Sequence, residues 1–287
     1  MKRNILIGLA IGSIASVASA GVGGPTIYAI NNLGDGGITD NTLVMFDATN
    51  PAGYTTIGGT GVSGAGFTGL DFNGVGGDLF AYAGYGTGIT PGLYQIDLTT
   101  GAASIVGSLS GQALQDLAYN PVDGMMYGIE GTSLYTVNTT TGAVTLSSTF
   151  SGLPSNALPV GLAIDSNGTF FVHDLASDAI YSGDGTNMTS MYSLPVDTNF
   201  SQGMTIDWSR DDQGYHSAIG QLPAFYSHLY TFGADGSGYD FVGNFGTGDG
   251  VFPTFEGGDL AIMAVPAPGA LALLGLAGLA SGRRRRH

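Results

Sequence analysis

The chain lacks cysteine entirely and is poor in tryptophan and in basic residues. Its 287 residues include no Cys, one Trp and seven Lys or Arg. Without cysteine there are no disulfide bonds and no thiolates to bind a metal, so stability must come from a hydrophobic core.

The basic residues lie almost wholly at the two ends of the chain. Residues 21–264 contain all 22 acidic residues but one basic residue, Arg210, which gives this region a net charge of −21. Nucleic-acid affinity depends mainly on phosphate neutralisation by Lys and Arg. We therefore expect no binding to nucleic acid or to anionic lipid, and an acidic surface that attracts divalent cations weakly and diffusely.

The N-terminus has the pattern of a secretory signal peptide. Lys2 and Arg3 precede an apolar stretch, Ile5–Ile14, and a small-residue motif follows it. The predicted signal peptide spans residues 1–20, and the Sec machinery is the expected export partner. The residues of the cleavage site are Ala18, Ala20 and Gly21.

The C-terminus carries a short proline motif, an apolar segment and an arginine cluster. These parts are Val265, Pro266, Ala267 and Pro268; residues 269–281; and Arg283, Arg284, Arg285 and Arg286. Their order resembles the sorting signal of bacterial PEP-CTERM proteins, although Ala267 stands where that family has Glu. The resemblance implies processing by an exosortase, a host that makes exopolysaccharide, and a place at the cell surface or in the extracellular matrix.

The apolar segment bears on whether the tail is a permanent anchor. It has 13 residues, whereas a helix that spans a bilayer needs about 20. An ordinary membrane anchor is the alternative to the sorting signal. We favour transient insertion of residues 269–281, with the arginines held in the cytoplasm.

Internal repetition dominates the region between the two signals. A leucine recurs in a short apolar strand at Leu70, Leu117 and Leu162, followed by Met204, at intervals of 47, 45 and 42 residues. Three more strands accompany each copy, separated by turns rich in Asn, Asp and Gly. The segments Gly161–Asp174 and Gly92–Gly101 resemble NHL or SMP-30-like and YVTN repeats, respectively, and the resemblance implies a propeller fold.

Five copies of four strands predict an all-β protein with a single five-bladed β-propeller at residues 21–264, flanked by the signal peptide and by the sorting signal at 265–287. A signal helix and a short C-terminal helix are expected outside it. The first copy lacks its innermost strand, and Asp259–Ile262 is an innermost strand without a copy behind it. We therefore expect this last strand to complete the blade that begins at Pro25–Ile30. Six blades, or a pair of β-sandwiches, are the alternatives.

Few candidate catalytic or metal-binding groups emerge along the propeller axis. Strand alternation places one small set of side chains there: Asp71, Ala118, Ala163, Thr205 and Ala261. With Asp71 as the single carboxylate in this ring, neither paired acid–base chemistry nor a metal cage is expected. The next register position is polar in four copies, as Asn73, Asn120, Asp165 and Asp207. We interpret these four as turn-initiating residues, with calcium ligation as the alternative, and expect no cofactor.

The histidines and Arg210 are expected to be structural. His173 and His216 fall in neighbouring second strands but out of register, so no convergent site is predicted for them. Arg210 is expected to pair with Asp211 or Asp212 in an enlarged turn.

These features favour an exported, acidic, non-catalytic propeller of the cell surface or extracellular matrix, with exosortase and exopolysaccharide as candidate partners. One alternative is a lactonase- or lyase-type propeller enzyme, with a site built by the loops at residues 33–41, 84–90 and 221–227. Another is a lectin-like binder that stacks sugars on tyrosines, although tyrosines at positions between blades more often belong to the core. The tyrosines considered for that role are Tyr82, Tyr85, Tyr226 and Tyr239.

Overall fold

The computed structural model describes residues 24–32, 41–86, 90–107, 110–220, 227–245 and 257–265. These residues form twenty strands in five four-stranded antiparallel sheets. The predicted signal peptide and the tail from residue 266 onward lie outside the described residues. Within the described ranges, no helix is long and apolar enough to cross a membrane.

Each sheet is one blade of a propeller, and its strands follow one another from the axis outward. Blade 1 consists of β20 (Gly257–Ile262), β1 (Thr26–Asn31), β2 (Thr42–Asp47) and β3 (Asn50–Gly59). Blade 2 consists of β4 (Ala65–Phe72), β5 (Leu79–Gly86), β6 (Gly92–Ile96) and β7 (Ala103–Ile105). Blade 3 consists of β8 (Asp116–Asn120), β9 (Met125–Glu130), β10 (Ser133–Val137) and β11 (Val144–Thr149). Blade 4 consists of β12 (Pro159–Ile164), β13 (Phe170–Asp174), β14 (Ala179–Gly183) and β15 (Met188–Ser193). Blade 5 consists of β16 (Thr198–Asp207), β17 (Gln213–Gly220), β18 (Ser227–Gly233) and β19 (Tyr239–Asn244).

The last strand closes the ring, as the repeat register predicts. Strand β20 pairs antiparallel with β1, with Ala261 opposite Tyr28. The inner strands contact one another around the axis in the order β20, β4, β8, β12, β16 and back to β20. The five-bladed, all-β prediction is therefore confirmed.

The hydrophobic core is divided among the blade interfaces. Five clusters of buried side chains are found among the described residues, one at each junction between neighbouring blades. The recurring Leu70, Leu117, Leu162 and Met204 are each at most 1% exposed. Because each sheet buries both faces against its neighbours, the repeat unit has no complete core of its own.

The turns between third and fourth strands use the side-chain chemistry that the sequence indicates. In blade 2 the Asp97 carboxylate accepts hydrogen bonds from the backbone N–H groups of Thr99 and Thr100, both at 2.8 Å. Gly101 then adopts a φ of 78°, which a side chain would disfavour. Asn138 caps the corresponding turn of blade 3 in the same way.

Deleting residues 258–264 should open the ring and destabilise the whole domain, because β1 would lose its inner partner and become an exposed apolar edge. Thermal unfolding followed by circular dichroism is the measurement. A chain that stops after Val265, and so retains β20, is the matched control. A truncated chain that melts with the same midpoint and cooperativity as this control would contradict closure by β20.

Candidate functional site

The axis contains two buried carboxylates beyond the one that the sequence pattern indicates. Asp116 of blade 3 and Asp259 of blade 1 are 0% and 1% exposed, and their carboxyl groups interact directly across the axis. The expectation that Asp71 is the single axial carboxylate is therefore wrong. The expectation rests on one register position of the inner strands. Side chains two residues earlier lie on the same face of the strand, so they also point toward the axis.

Glycine occupies the same register position in the other three blades, as Gly69, Gly161 and Gly203. A Cβ atom at Gly69 would lie 2.6 Å from the backbone nitrogen of Leu117, and one at Gly203 would lie 2.5 Å from the Cα of Asp259. Both separations are far below van der Waals contact. Gly69 and Gly203 thus allow the inner strands that carry them to approach closely the strands of Asp116 and Asp259.

The two carboxylates bind one backbone amide from every blade. The Asp259 oxygens accept the N–H groups of Leu70 at 2.5 Å, Leu260 at 2.7 Å and Met204 at 3.1 Å. Those of Asp116 accept the N–H groups of Leu117 at 2.6 Å and Leu162 at 2.5 Å. An innermost strand has a sheet neighbour on one side, so its inward N–H groups need another acceptor. The carboxylates supply it and tie the five blades together.

Asp71 repeats this arrangement one layer further along the axis. Its carboxylate accepts the N–H of its own neighbour Phe72 at 2.8 Å and that of Tyr119 in the next blade at 2.7 Å. The side chain therefore bridges blades 2 and 3. Its role in the described structure is to satisfy backbone donors.

Burial changes the protonation of these acids. Desolvation raises the pKa of Asp71 to about 7 from an ordinary 3.8, against the lowering effect of its two amide hydrogen bonds. Desolvation also raises the pKa of Asp116, helped by repulsion from Asp259, and it raises that of Asp259. Burial of the pair therefore favours its protonated form. A raised native pKa adds stability that is complete below about pH 4 and is lost as the pH rises, through about 7 for Asp71.

Asp259→Ala should lower the free energy of unfolding by about 3 kcal/mol or more, because it leaves three buried N–H groups without acceptors at about 1–3 kcal/mol each. Asp116→Ala strips acceptors from two amides and should cost less. Urea unfolding at constant pH measures both. Asp240→Ala, at an exposed position, is the control and should change stability little. Equal, small effects of all three substitutions would refute the axial arrangement.

Two buried histidines meet between blades 4 and 5. The ring centroids of His173 and His216 are 4.6 Å apart, edge to face, and both residues are 0% exposed. His216 Nδ1 contacts the Tyr239 hydroxyl at 2.6 Å, and His173 Nε2 contacts Thr198 Oγ1 at 3.4 Å. The other ring nitrogens, His173 Nδ1 and His216 Nε2, have no hydrogen-bond partner among the described residues.

The prediction that these histidines do not converge is wrong for a geometric reason. His173 lies opposite Gly161 in its blade, whereas His216 lies opposite Met204, so the two positions differ by one residue in register. An odd offset places side chains on opposite faces of a strand. Opposite faces are the ones that meet between neighbouring blades.

The histidine pair should make the fold sensitive to acid. Desolvation lowers the pKa of His173 to about 4, although Asp178 and Asp174 act to raise it. Desolvation, with repulsion from His173, lowers the pKa of His216 well below 6.5. A lowered histidine pKa gives stability that is present above about pH 6.5 and lost as the pH falls toward about 4.

His173→Leu should therefore gain stability relative to the native chain by up to about 3 kcal/mol between pH 6.5 and 4. The difference in unfolding free energy, measured by urea titration across this range, isolates the histidine from the carboxylates common to both chains. The half-buried His228, whose pKa desolvation also lowers, provides the control His228→Leu with a smaller effect. A pH-independent difference for His173→Leu would contradict the assignment.

The four Asx residues after the inner strands act mainly as turn residues. The Oδ1 atoms of Asn73, Asn120 and Asp165 accept backbone N–H groups within their own turns. Asp207 is 2% exposed and pairs with Arg210 at 2.9 Å, which corrects the expected pairing of Arg210 with Asp211 or Asp212. The enlarged turn folds back, so that the guanidinium reaches the carboxylate at its start. Within the described ranges, no three His, Cys, Asp or Glu side chains are grouped to hold a metal ion.

An open groove lies on the face of the propeller that carries the turns after the inner strands, which we call the turn face. Its volume is about 390 Å³, and it lies beside blade 3 with Asn73 of blade 2 at its rim. Of the tyrosines considered as sugar platforms, Tyr82 is fully buried and Tyr239 stacks on Tyr230 with centroids 4.7 Å apart. The groove instead contains Tyr119, a partly buried residue that also packs against the core cluster between blades 2 and 3.

The processing residues fall almost entirely outside the described part of the chain. Val265 is the exception; its N–H donates to Ser209 Oγ at 3.2 Å, so the proline motif begins against blade 5. Ala18, Ala20, Gly21, Pro266, Ala267, Pro268 and Arg283 to Arg286 lie outside the described residues. The side chains of Tyr85 and Tyr226 and most of the loops considered for an enzymatic site lie there too.

Comparison with known proteins gives a partial family match. Residues 16–118 match a family model described as "Domain of unknown function (DUF4394)", a span that reaches into β8. No curated protein sequence matches the chain.

Several solved structures are similar to the chain at low sequence identity. A chain of a nidogen/laminin complex is 10% identical with a TM-score of 0.49, covering 85% of this chain and 99% of that one. A protein from Bacteroides uniformis ATCC 8492 with a provisional 6-phosphogluconolactonase assignment is 11% identical with a TM-score of 0.44, covering 78% and 83%. A streptogramin B lyase is 14% identical with a TM-score of 0.41, covering 75% and 66%. These likenesses assign no activity to this chain.

Proposed function

We propose that the protein is an exported, acidic, non-catalytic propeller that serves at the cell surface or in the extracellular matrix after exosortase processing. The observation that carries this proposal is the use of the axial carboxylates. Asp71, Asp116 and Asp259 accept seven backbone N–H groups between them. Groups that bind backbone donors this closely act as structural links, which suits a scaffold.

The two terminal sequences support export. The pattern up to Ala20 is that of a signal peptide, and the tail resembles a PEP-CTERM sorting signal. The short interval between fold and tail agrees with this arrangement: β20 ends at Ile262, three residues before the proline motif. A chain released by cleavage in residues 265–268 would keep its closing strand and its Asp259.

The composition also suits an extracellular scaffold. A net charge of −21 in residues 21–264 keeps such a protein soluble and opposes unspecific adhesion to polyanions. The alternative of a lactonase- or lyase-type enzyme requires free acid, base or metal-ligating groups. Among the described axial carboxylates each oxygen that would serve such chemistry already accepts an amide hydrogen bond.

The exported chain should end within residues 265–268. C-terminal mass spectrometry of protein recovered from the surface of the native host tests this. Replacing Pro266 and Pro268 together by Ala should leave an uncleaved, membrane-bound form, because proline disfavours a helical conformation at the residue before it and its loss would favour helix across the cleavage region. A surface protein that still ends in Arg283–His287 would contradict processing.

The non-catalytic part of the proposal has a separate check. The exported protein should not hydrolyse glucono-δ-lactone above the spontaneous rate, followed in a pH-stat. An Asp71→Asn variant serves as the comparison. Hydrolysis by the native chain with a kcat/KM of about 10⁴ M⁻¹ s⁻¹ or more, lost in this variant, would establish the enzyme alternative.

A further inference from the structure

We propose that the groove on the turn face of blade 3 binds an uncharged glycan. Its volume of about 390 Å³ is within the range of about 300–1,000 Å³ typical of small-ligand sites. The groove is open along the surface, which suits a segment of a longer chain of sugar rings. This site rests on the proposed matrix role and extends it by giving it a ligand class.

The lining of the groove carries no ionised side chain. It consists of Tyr119 together with threonine, asparagine, methionine, alanine, valine and glycine residues, in a region of net charge −21. The surrounding field disfavours anionic ligands such as uronate polymers. A cation would find no carboxylate in the lining. A neutral ligand with many hydroxyl groups fits both conditions.

Tyr119 provides a rigid aromatic surface in the groove. Its backbone N–H is fixed by Asp71 at 2.7 Å, and its ring lies 5.9 Å from that of Trp208, centroid to centroid, at 39°. A partly exposed ring held in this way loses little conformational entropy on binding. Such rings present an apolar face, which suits the C–H groups of a pyranose, beside a polar hydroxyl.

The aromatic platform is specific to blade 3. The equivalent position holds Phe72, Ile164, Ile206 and Ile262 in the other blades, and all four are buried, at 2–4% exposure. Tyr119 is instead partly exposed. If the side chain at position 119 served packing alone, a fully buried residue would be enough, as it is in the other four blades.

Polar and apolar groups alternate on the opposite wall. Thr136 of β10 pairs with Thr145 of β11, and both side chains line the groove near Met125, which is 45% exposed. The Thr136 hydroxyl donates to the Thr145 backbone carbonyl at 3.4 Å and keeps lone pairs that can accept. Threonine hydroxyl groups next to apolar surface match the amphipathic character of a sugar ring.

Affinity electrophoresis of the purified exported protein tests the proposal. The gels contain dextran, amylose, hydroxyethyl cellulose or galactomannan as neutral probes, and alginate as the anionic probe. We expect at least one neutral polysaccharide, and not alginate, to retard the native chain. Tyr119→Ile and Thr145→Glu should each raise the apparent Kd about tenfold.

Two features of the variants separate binding from folding. Isoleucine already occupies the equivalent of position 119 in three blades, so Tyr119→Ile removes the platform with a side chain that the fold accepts. Thr189→Glu places the same charge at the matching position of β15 in blade 4, since Thr189 faces Ser182 as Thr145 faces Thr136. This control should bind like the native chain, and thermal melting of all variants verifies folding.

Three results would overturn the site: no retardation by any neutral probe, stronger retardation by alginate, or retardation that Tyr119→Ile and Thr145→Glu leave unchanged in folded protein. None of these would affect the C-terminal mass of the surface protein. Failure of the glycan site and failure of the matrix role are therefore distinguishable.

Discussion

The fold depends on satisfying the inward-facing amides of five innermost strands in the space around one narrow axis. Asp116 and Asp259 bind one such amide from each blade. Glycine at positions 69 and 203 lets the neighbouring inner strands approach closely enough for these hydrogen bonds. Asp259 belongs to the closing strand β20. When β20 pairs with β1, it therefore also places the acceptor for three of the axial amides. A ring closed without this residue would leave three buried donors unpaired, at a cost of several kcal/mol.

This arrangement moves the search for function away from the axis. Axial carboxylates in contact with backbone amides are poor candidates for acid–base or metal chemistry, because ligands would have to displace hydrogen bonds that join the blades. The outer surface remains available, and on the described turn face the groove beside Tyr119 combines a cavity, an aromatic ring and an uncharged lining. The propeller thus separates a structural centre from a peripheral surface that is free to bind.

The repeated pattern predicts the fold well because every blade uses the same order of strands and turns. The leucine interval, the Asx and Gly turns and the unmatched strand at Asp259 together predict the number of blades and the closure. The axial pair is missed although its signal is present: the residue before the repeated leucine or methionine is always Gly or Asp. Recognising it requires knowing that five strands converge at that level.

Contacts between blades are harder to predict, because they depend on which face of a strand meets which. The meeting of His173 and His216 follows from an odd offset between neighbouring blades, which an alignment of repeats presents as a mismatch. Tyr119 illustrates the same difficulty. Alignment with Phe72 and three isoleucines assigns it to the core, and its additional reach to the surface becomes visible only when the adjacent turns are placed.

The scarcity of basic residues and the design of the axis are connected. Buried carboxylates are usually paired with Arg or Lys, since an isolated buried charge is very costly. In residues 21–264 the one arginine is used by Asp207 at the turn face, which leaves none for Asp71, Asp116 or Asp259. The remaining means of stabilising a buried acid are backbone donors and protonation. All three residues accept backbone N–H groups, and burial raises their pKa values, which favours the protonated form. A strongly acidic domain can therefore bury carboxylates at its centre because the innermost strands of a propeller supply unpaired N–H groups there.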